Sequence, residues 1–183
     1  MQQHGPWKII EHRQVYSDPW TRVCKDEVIR PDGRPGTYTV VHVKPGVSVL
    51  AMDDDLNVYL TEEFHYGVGR VTIETASGGV EPGEEPLATA QRELREELGI
   101  EARDWTDLGA CDPFTANVVS PTQLFLARGL TFGQQAPEGT EQIQCVSMHL
   151  DEAVARVLAS CITHAPSCLA ILKTKLAVDA QQL

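Results

Sequence analysis

The stretch GGVEPGEEPLATAQRELREELGI, residues 78–100, places Glu93, Glu96 and Glu97 at offsets of zero, three and four near its end. On a helix those offsets share one face, with Cβ atoms about 5 to 6 Å apart. Pro86 suits a first helical position and Gly99 a position just past the end, so a helix is expected from about Glu85 to Leu98. Leu87, Ala90, Leu94 and Leu98 keep the spacing of a buried stripe, and the carboxylates are expected to lie off it. Glu96 and Glu97 fall in the final turn, where the helix dipole disfavours negative charge by about 0.3 to 1 kcal/mol each. Like charges at this spacing add a few tenths of a kcal/mol against the helix. Helix stability alone would not select the arrangement. A hard divalent cation removes the repulsion, and Mg²⁺ usually takes one or two protein carboxylates, leaving its other positions to water and phosphate. The cluster reads as a metal site, beside the plainer alternative of a solvated acidic face paired with Arg92 and Arg95.

The rest of the composition sets bounds. A chain of 183 residues, 42% apolar and 22% charged, has enough material for one domain with an appendage and a sizeable core. No apolar run approaches the length that crosses a bilayer, and MQQHGPWKII lacks the basic and apolar regions of a signal peptide. A cytoplasmic location without membrane contact is expected. The net charge of −11 argues against long-range attraction to nucleic acid or anionic lipid, so a phosphate substrate must be met by metal and a few local cations. Five cysteines without CxxC spacing suit reduced thiols, and Cys161, His164 and Cys168 with no fourth partner make a poor zinc set.

Along the chain, Trp7 to about Val43 alternates like strands, broken at Ser17, Asp18 and Pro19 and again by the turn cluster PDGRPG, residues 31–36. These strands are expected to form a small sheet that must pack on the rest of the chain or on a second copy. Val47 to Met52 and Leu56 to Leu60 flank the acidic turn at 53–55 as a hairpin. VTIE then leads to a turn at SGG before the helix. LGACDPF and QLFLARGL read as strands around a loop at 115–122, and a third strand is expected at Gln142 to Met148. Two helices close the chain, with Asp151 and Ser167 as expected N-caps. The pattern is α+β or α/β/α around a mixed sheet.

Gly78, five residues, Glu84, seven residues, then Arg92, Glu93, Leu94, one residue, Glu96, Glu97, one residue, Gly99 and Ile100 match the Nudix box at every defining position. The chain thus resembles the Nudix hydrolase family. The pieces WTRVCKDEVIRPDGRPGTYTVV, EFHYGVGRVTIETASGG, WTDLG and LFLARGL, spread between Trp20 and Leu130, resemble its ADP-ribose pyrophosphatase branch. The resemblance implies an α/β fold: a Nudix α/β/α sandwich with a mixed sheet over residues 46–183, preceded by a small N-terminal antiparallel β-sheet over residues 1–45 that serves dimerisation. It implies a homodimer.

The resemblance also implies roles. Glu93, Glu96 and Glu97 would bind Mg²⁺, with Mn²⁺ as an alternative ion, and the carbonyl of Ser77 would add a ligand. Arg92 would orient the glutamates through charge-assisted hydrogen bonds, and Glu84 would brace the loop. A loop glutamate late in the chain would act as general base, with Glu141 expected ahead of Glu138. This chain has His65 where relatives commonly place a phosphate-facing arginine, and Glu74-Thr75-Ala76-Ser77-Gly78 where they show an ELPAG-like run. His65, Arg70 and Glu74 are therefore the expected substrate-side residues, with Arg70 the substitute phosphate contact. The implied activity is cleavage of the diphosphate in a nucleoside diphosphate linked to another moiety, ADP-ribose or a nucleotide sugar foremost. A triphosphate-sanitising pyrophosphatase and a non-catalytic nucleotide-binding regulatory module are the competing readings. Trp20 or Tyr16 could stack on a base in a partner's pocket, a core role being the expected alternative.

Overall fold

The computed structural model describes residues 1–136, 139 and 142–182. In chain order these residues form β1 (Gln2–His4), β2 (Trp7–Ser17), β3 (Thr21–Ile29), β4 (Pro35–Val43), β5 (Gly46–Met52), β6 (Asn57–His65), β7 (Arg70–Glu74), β8 (Ala76–Gly79), α1 (Pro86–Leu98), β9 (Ile100–Cys111), β10 (Val118–Val119), β11 (Thr122–Phe132), β12 (Gln144–His149), α2 (Leu150–Leu158) and α3 (Ala165–Asp179). They gather into two compact units, residues 1–45 with 112–121, and residues 46–111 with 122–182. No helix among the described residues is long and apolar enough to cross a membrane.

The first unit is a five-stranded sheet in the order β1-β2-β3-β4-β10. Asp18 makes the turn between β2 and β3, its Oδ1 accepting the N–H groups of Trp20 and Thr21 at 2.9 and 2.6 Å. The segment at 115–122, expected as a loop alone, contributes β10 parallel to β4. Two apolar β-branched residues, Val118 and Val119, are the local reason, and Asn117 O receives Val41 N–H at 2.8 Å beside them. Cys24 and Val28 are buried on β3, whereas β2 is exposed along nearly its whole length. Tyr16 and Trp20 are 54% and 67% exposed, so the expected core role for them is incorrect. Both flank the Asp18 turn, where Tyr16 hydroxyl donates to the Asp18 carboxylate at 2.8 Å and the rings are carried outward.

The second unit is the α/β/α sandwich. Its mixed sheet runs β12-β6-β5-β11-β9, with β7 added to β6 and β8 added to β5. The central strand β5 is parallel to β11 and antiparallel to β6 and β8. Because side chains alternate along a strand, Val47, Val49 and Ala51 face one way and Leu50 and Met52 the other. The first set packs with Ala90, Leu94 and Leu98 of α1. The second packs with Leu150 and Ala153 of α2 and Ala170 and Ile171 of α3. A strand buried on both faces reads as a continuous apolar run, as VSVLAM nearly does.

Several boundaries differ from expectation for identifiable reasons. The SGG segment is part of strand β8, pairing Ser48 with Ser77 and Val47 with Gly78, because β5 offers a free edge there. The N-caps of α2 and α3 are His149 and His164, with Asp151 and Ser167 inside the first turns. His149 Nδ1 accepts Asp151 N–H at 3.2 Å, taking the capping role expected of the aspartate. Ser167 is fully buried, and its hydroxyl is used elsewhere. Leu87 is exposed although it shares the angular face of the α1 stripe. It sits in the first turn, so its exposure follows from position along the helix axis.

Candidate active site

Helix α1 starts from Glu85 in extended conformation with Pro86 at its first position, and ends at Gly99 in the left-handed region, φ +66°. A Cβ at Gly99 would stand 2.8 Å from the backbone of Gln134 and Gln135. That close approach has a purpose at the helix end, where the last carbonyls lack intrahelical partners. Ala136 N–H donates to Glu96 O at 2.9 Å, Gln135 Nε2 to Glu97 O at 2.6 Å, and Gly133 N–H to Gly99 O at 2.6 Å. The stretch after β11 is thereby tied to the carboxyl end of α1.

Arg92 stands at the centre of the acidic residues. Its Nη1 lies 2.8 Å from Glu93 Oε1 and 3.1 Å from Glu96 Oε2, and its Nε lies 3.3 Å from Glu84 Oε1. Its Nη2 also donates to Gly79 O at 3.4 Å, so one guanidinium joins the loop before α1 to the helix face. Glu97 faces elsewhere: its Oε2 accepts Ser77 N–H at 3.1 Å. At 9% exposure Glu97 is buried, which corrects the expectation that all three carboxylates lie off the apolar stripe. Positions 90, 94 and 97 follow one another at four and three residues, so Glu97 continues the face that meets the sheet.

Because the carboxylates divide between Arg92 and Ser77, no three His, Cys, Asp or Glu side chains among the described residues converge as a ready-made cage. The donor chemistry nevertheless fits a hard divalent cation, which completes its shell with water and phosphate. Three glutamates on one arginine, Glu84, Glu93 and Glu96, leave an excess of negative charge in a partly buried place. The approach to β8 is equally specific: a Cβ on Gly78 would lie 1.9 Å from Glu93 Oε1. Gly78→Ala is expected to push the Glu93 carboxylate aside while leaving the fold intact, slowing turnover about fivefold, the equivalent of about 1 kcal/mol. Unchanged kinetics in a folded Gly78→Ala variant would contradict this placement.

The bridge to Arg92, followed by the Thr89 hydrogen bond, lowers the Glu84 carboxyl from 4.5 to about 2. Arg92 is held above its ordinary value, mainly by Glu84. A carboxylate whose folded pKa is depressed contributes stability that is present above about 4.5 and is lost as the pH falls toward 2. The Glu84–Arg92 brace is therefore expected to stay charged at every ordinary assay pH. A carbon-detected NMR titration should place the Glu84 midpoint near 2, and a midpoint near 4.5 would remove the brace.

The expected substrate-side residues form a second group. His65 Nε2 lies 3.3 Å from Glu74 Oε1, and His164 Nδ1 lies 3.0 Å from Glu74 Oε2. Thr72 hydroxyl donates to Glu74 Oε1 at 2.7 Å. Arg70 turns its Nη2 to Thr163 Oγ1 at 2.9 Å. Glu138 and Glu141 lie outside the described residues. His164, Thr75 and Ser167, which complete this part of the molecule, were not expected from sequence. The sequence offers each in another role: His164 in a poor zinc set, Thr75 in the run that departs from an ELPAG-like sequence, and Ser167 as a helix cap.

Residues 42–162 match the NUDIX domain, and residues 7–41 match the nucleoside diphosphate sugar hydrolase N-terminal domain. The chain belongs to the Nudix family. It is 28% identical over 179 residues to the ADP-ribose pyrophosphatase of Bacillus subtilis (strain 168), covering 96% of this chain and 97% of that protein. It is 28% identical over 151 residues to the methanol dehydrogenase activator of Bacillus methanolicus, covering 80% of each. Among solved structures, that of an ADP compounds hydrolase has the same fold, with a TM-score of 0.82 at 20% identity over 99% of this chain and 98% of that one. Nudix hydrolases generally need a divalent metal. In Nudix terms α1 is the box helix; the Gly78 and Arg92 contacts lie within the box, and Glu97 reaches Ser77, the residue just before it.

Proposed function

We propose that this Nudix hydrolase uses Mg²⁺ to split the diphosphate of a nucleoside diphosphate linked to a second moiety, with ADP-ribose or a nucleotide sugar as substrate. The observation that carries the reading is the pairing of a complete acidic box on α1 with β8, where Glu97 meets Ser77 N–H and Glu93 lies over Gly78. The names of the Bacillus subtilis relative and of the matching N-terminal domain support the substrate class.

Glu93, Glu96 and Glu97 are the proposed metal ligands, with the Ser77 carbonyl beside them. Bound there, Mg²⁺ or Mn²⁺ would neutralise phosphoryl charge and activate a water for attack. Arg92 holds Glu93 and Glu96 in place and offsets their mutual repulsion. Glu141, or failing it Glu138, takes the proton from the attacking water. The oxygen of that water bonds to one phosphorus, the anhydride oxygen leaves with the other, and two phosphomonoesters result. Glu74 is taken up by His65, His164 and Thr72, which leaves Arg70 as the exposed member of the proposed substrate side.

Purified protein incubated with ADP-ribose, nucleotide sugars, dinucleoside polyphosphates and nucleoside triphosphates, with Mg²⁺, tests the reading by chromatography of the products. Nucleoside monophosphate from the first two classes is expected. Cleavage confined to triphosphates would replace it with the sanitising reading, and cleavage of nothing with the regulatory one. The relative named as an enzyme activator favours keeping that last possibility in the panel. The acidic box argues against it, since a module that only binds nucleotide gains nothing from repelling charges at the wrong end of a helix.

The N-terminal unit is proposed to make the chain a homodimer in a reducing, cytoplasmic setting. Ile10, Val15 and Tyr16 on β2 are each about half exposed, a surface in need of cover. Sedimentation at micromolar concentration should give the mass of a dimer, and a monomer would contradict the assignment.

A further inference from the structure

The chain changes partners at Thr75. Strand β7 pairs with β6 up to Glu74, whereas β8 pairs with β5 from Ala76 onward. A backbone N–H at such a corner has no ladder acceptor, and burying it unpaired is costly, so it needs a partner from elsewhere in the chain. Thr75 is 1% exposed, and its N–H donates at 2.9 Å to the hydroxyl oxygen of Ser167 on α3.

The hydrogens around this contact can be assigned from chemistry. Glu74 ionised is only an acceptor, so His164 Nδ1, 3.0 Å from Glu74 Oε2, carries the proton. The same Nδ1 is 2.8 Å from Ser167 Oγ, and that N–H is shared between the two oxygens. Burial pushes the His164 imidazole down, against the pull of Glu74, in keeping with a neutral ring. Ser167 Oγ accepts from His164 and from Thr75 N–H, so its own proton goes to Thr75 Oγ1 at 3.0 Å. Thr75 hydroxyl then donates to Ser48 Oγ. Both lone pairs and the proton of Ser167 are used.

The consequence lies two residues further on. Ser77 hydroxyl donates to Thr75 O at 2.7 Å, closing the corner, and Ser77 N–H holds the Glu97 carboxylate. We propose that Ser167, oriented by His164, is a positioning residue for metal binding: it fixes Thr75, and through the Thr75–Ser77 corner it sets the N–H that aims Glu97. The proposal rests on Glu97 being a metal ligand. It explains why Ser167 does not cap α3, since its hydroxyl is committed to the neighbouring strand corner.

Mn²⁺ binding measured by electron paramagnetic resonance in the absence of substrate tests it, with circular dichroism to establish folding. Ser167→Ala is expected to weaken Mn²⁺ binding about fivefold or more and to lower kcat, with KM for the nucleotide unchanged. Glu97→Gln serves as the reference for a lost ligand. Wild-type Mn²⁺ affinity in folded Ser167→Ala, with weakened binding in Glu97→Gln, overturns the positioning role alone. Wild-type affinity in both variants overturns the metal assignment beneath it as well. Should Ser167→Ala fail to fold, Ser167→Cys replaces it, because a thiol is a weak acceptor for Thr75 N–H and is expected to show the same loss.

Discussion

Glu141→Gln is expected to slow turnover by roughly a hundredfold or more, the usual cost of losing a general base, with dependence on Mg²⁺ retained. Glu138→Gln is expected to have a small effect. Glu141 stands three residues ahead of β12 in the chain, whereas Glu138 is flanked by Pro137 and Gly139. A catalytic carboxylate must come within hydrogen-bond reach of the attacking water at each turnover, which favours the position next to a fixed strand. Upstream of both, the hydrogen bonds of Gly133, Gln135 and Ala136 tie this part of the chain to the end of the box helix. Steady-state kinetics of the two variants decide the matter. A reversed result would move the base to Glu138, and two unaffected variants would place it elsewhere.

Glu97→Gln is expected to cost at least tenfold in kcat, about 1.4 kcal/mol, with much less change in substrate affinity. A metal ligand acts on charge that develops in the transition state, so its loss falls on the rate rather than on binding. The substitution keeps the shape of the side chain and an oxygen able to accept Ser77 N–H, so the buried contact can persist while the ligand charge is gone. That separates chemistry from packing. An unchanged kcat at saturating Mg²⁺ would remove Glu97 from the metal site.

Much of this was legible in the sequence. The box helix, its proline start and its glycine end follow from local rules that act over a few residues. Alternation along the chain pointed to a mixed sheet but left α+β and α/β/α both open, and the sandwich was what the resemblance to the Nudix family implied. The burial of Glu97 was legible in principle, since it repeats the spacing of Ala90 and Leu94, but its charge suggested the opposite. What sequence could not give are contacts set by tertiary approach. Ser167 and Thr75 are 92 residues apart and meet only because β7 and β8 take different neighbours. The start of α2 has a different cause: His149 Nδ1 accepts Asp151 N–H two residues on, a local contact that histidine offers less commonly than Ser, Thr, Asp or Asn. Val118 and Val119 joined the first sheet because a strand edge was available beside them.

The most direct test of the account is chelation, reading activity and thermal unfolding on one sample. The α1 side chains that hold the core are Ala90, Leu94 and Leu98, packed on β5, so the metal is asked to support chemistry and not the fold. With EDTA, hydrolysis of the diphosphate substrate is predicted to stop, to return on adding excess Mg²⁺, and to leave the unfolding midpoint essentially in place. Hydrolysis that persists in EDTA, or an unfolding midpoint that collapses with it, would contradict the assignment of the α1 glutamates as a catalytic metal site.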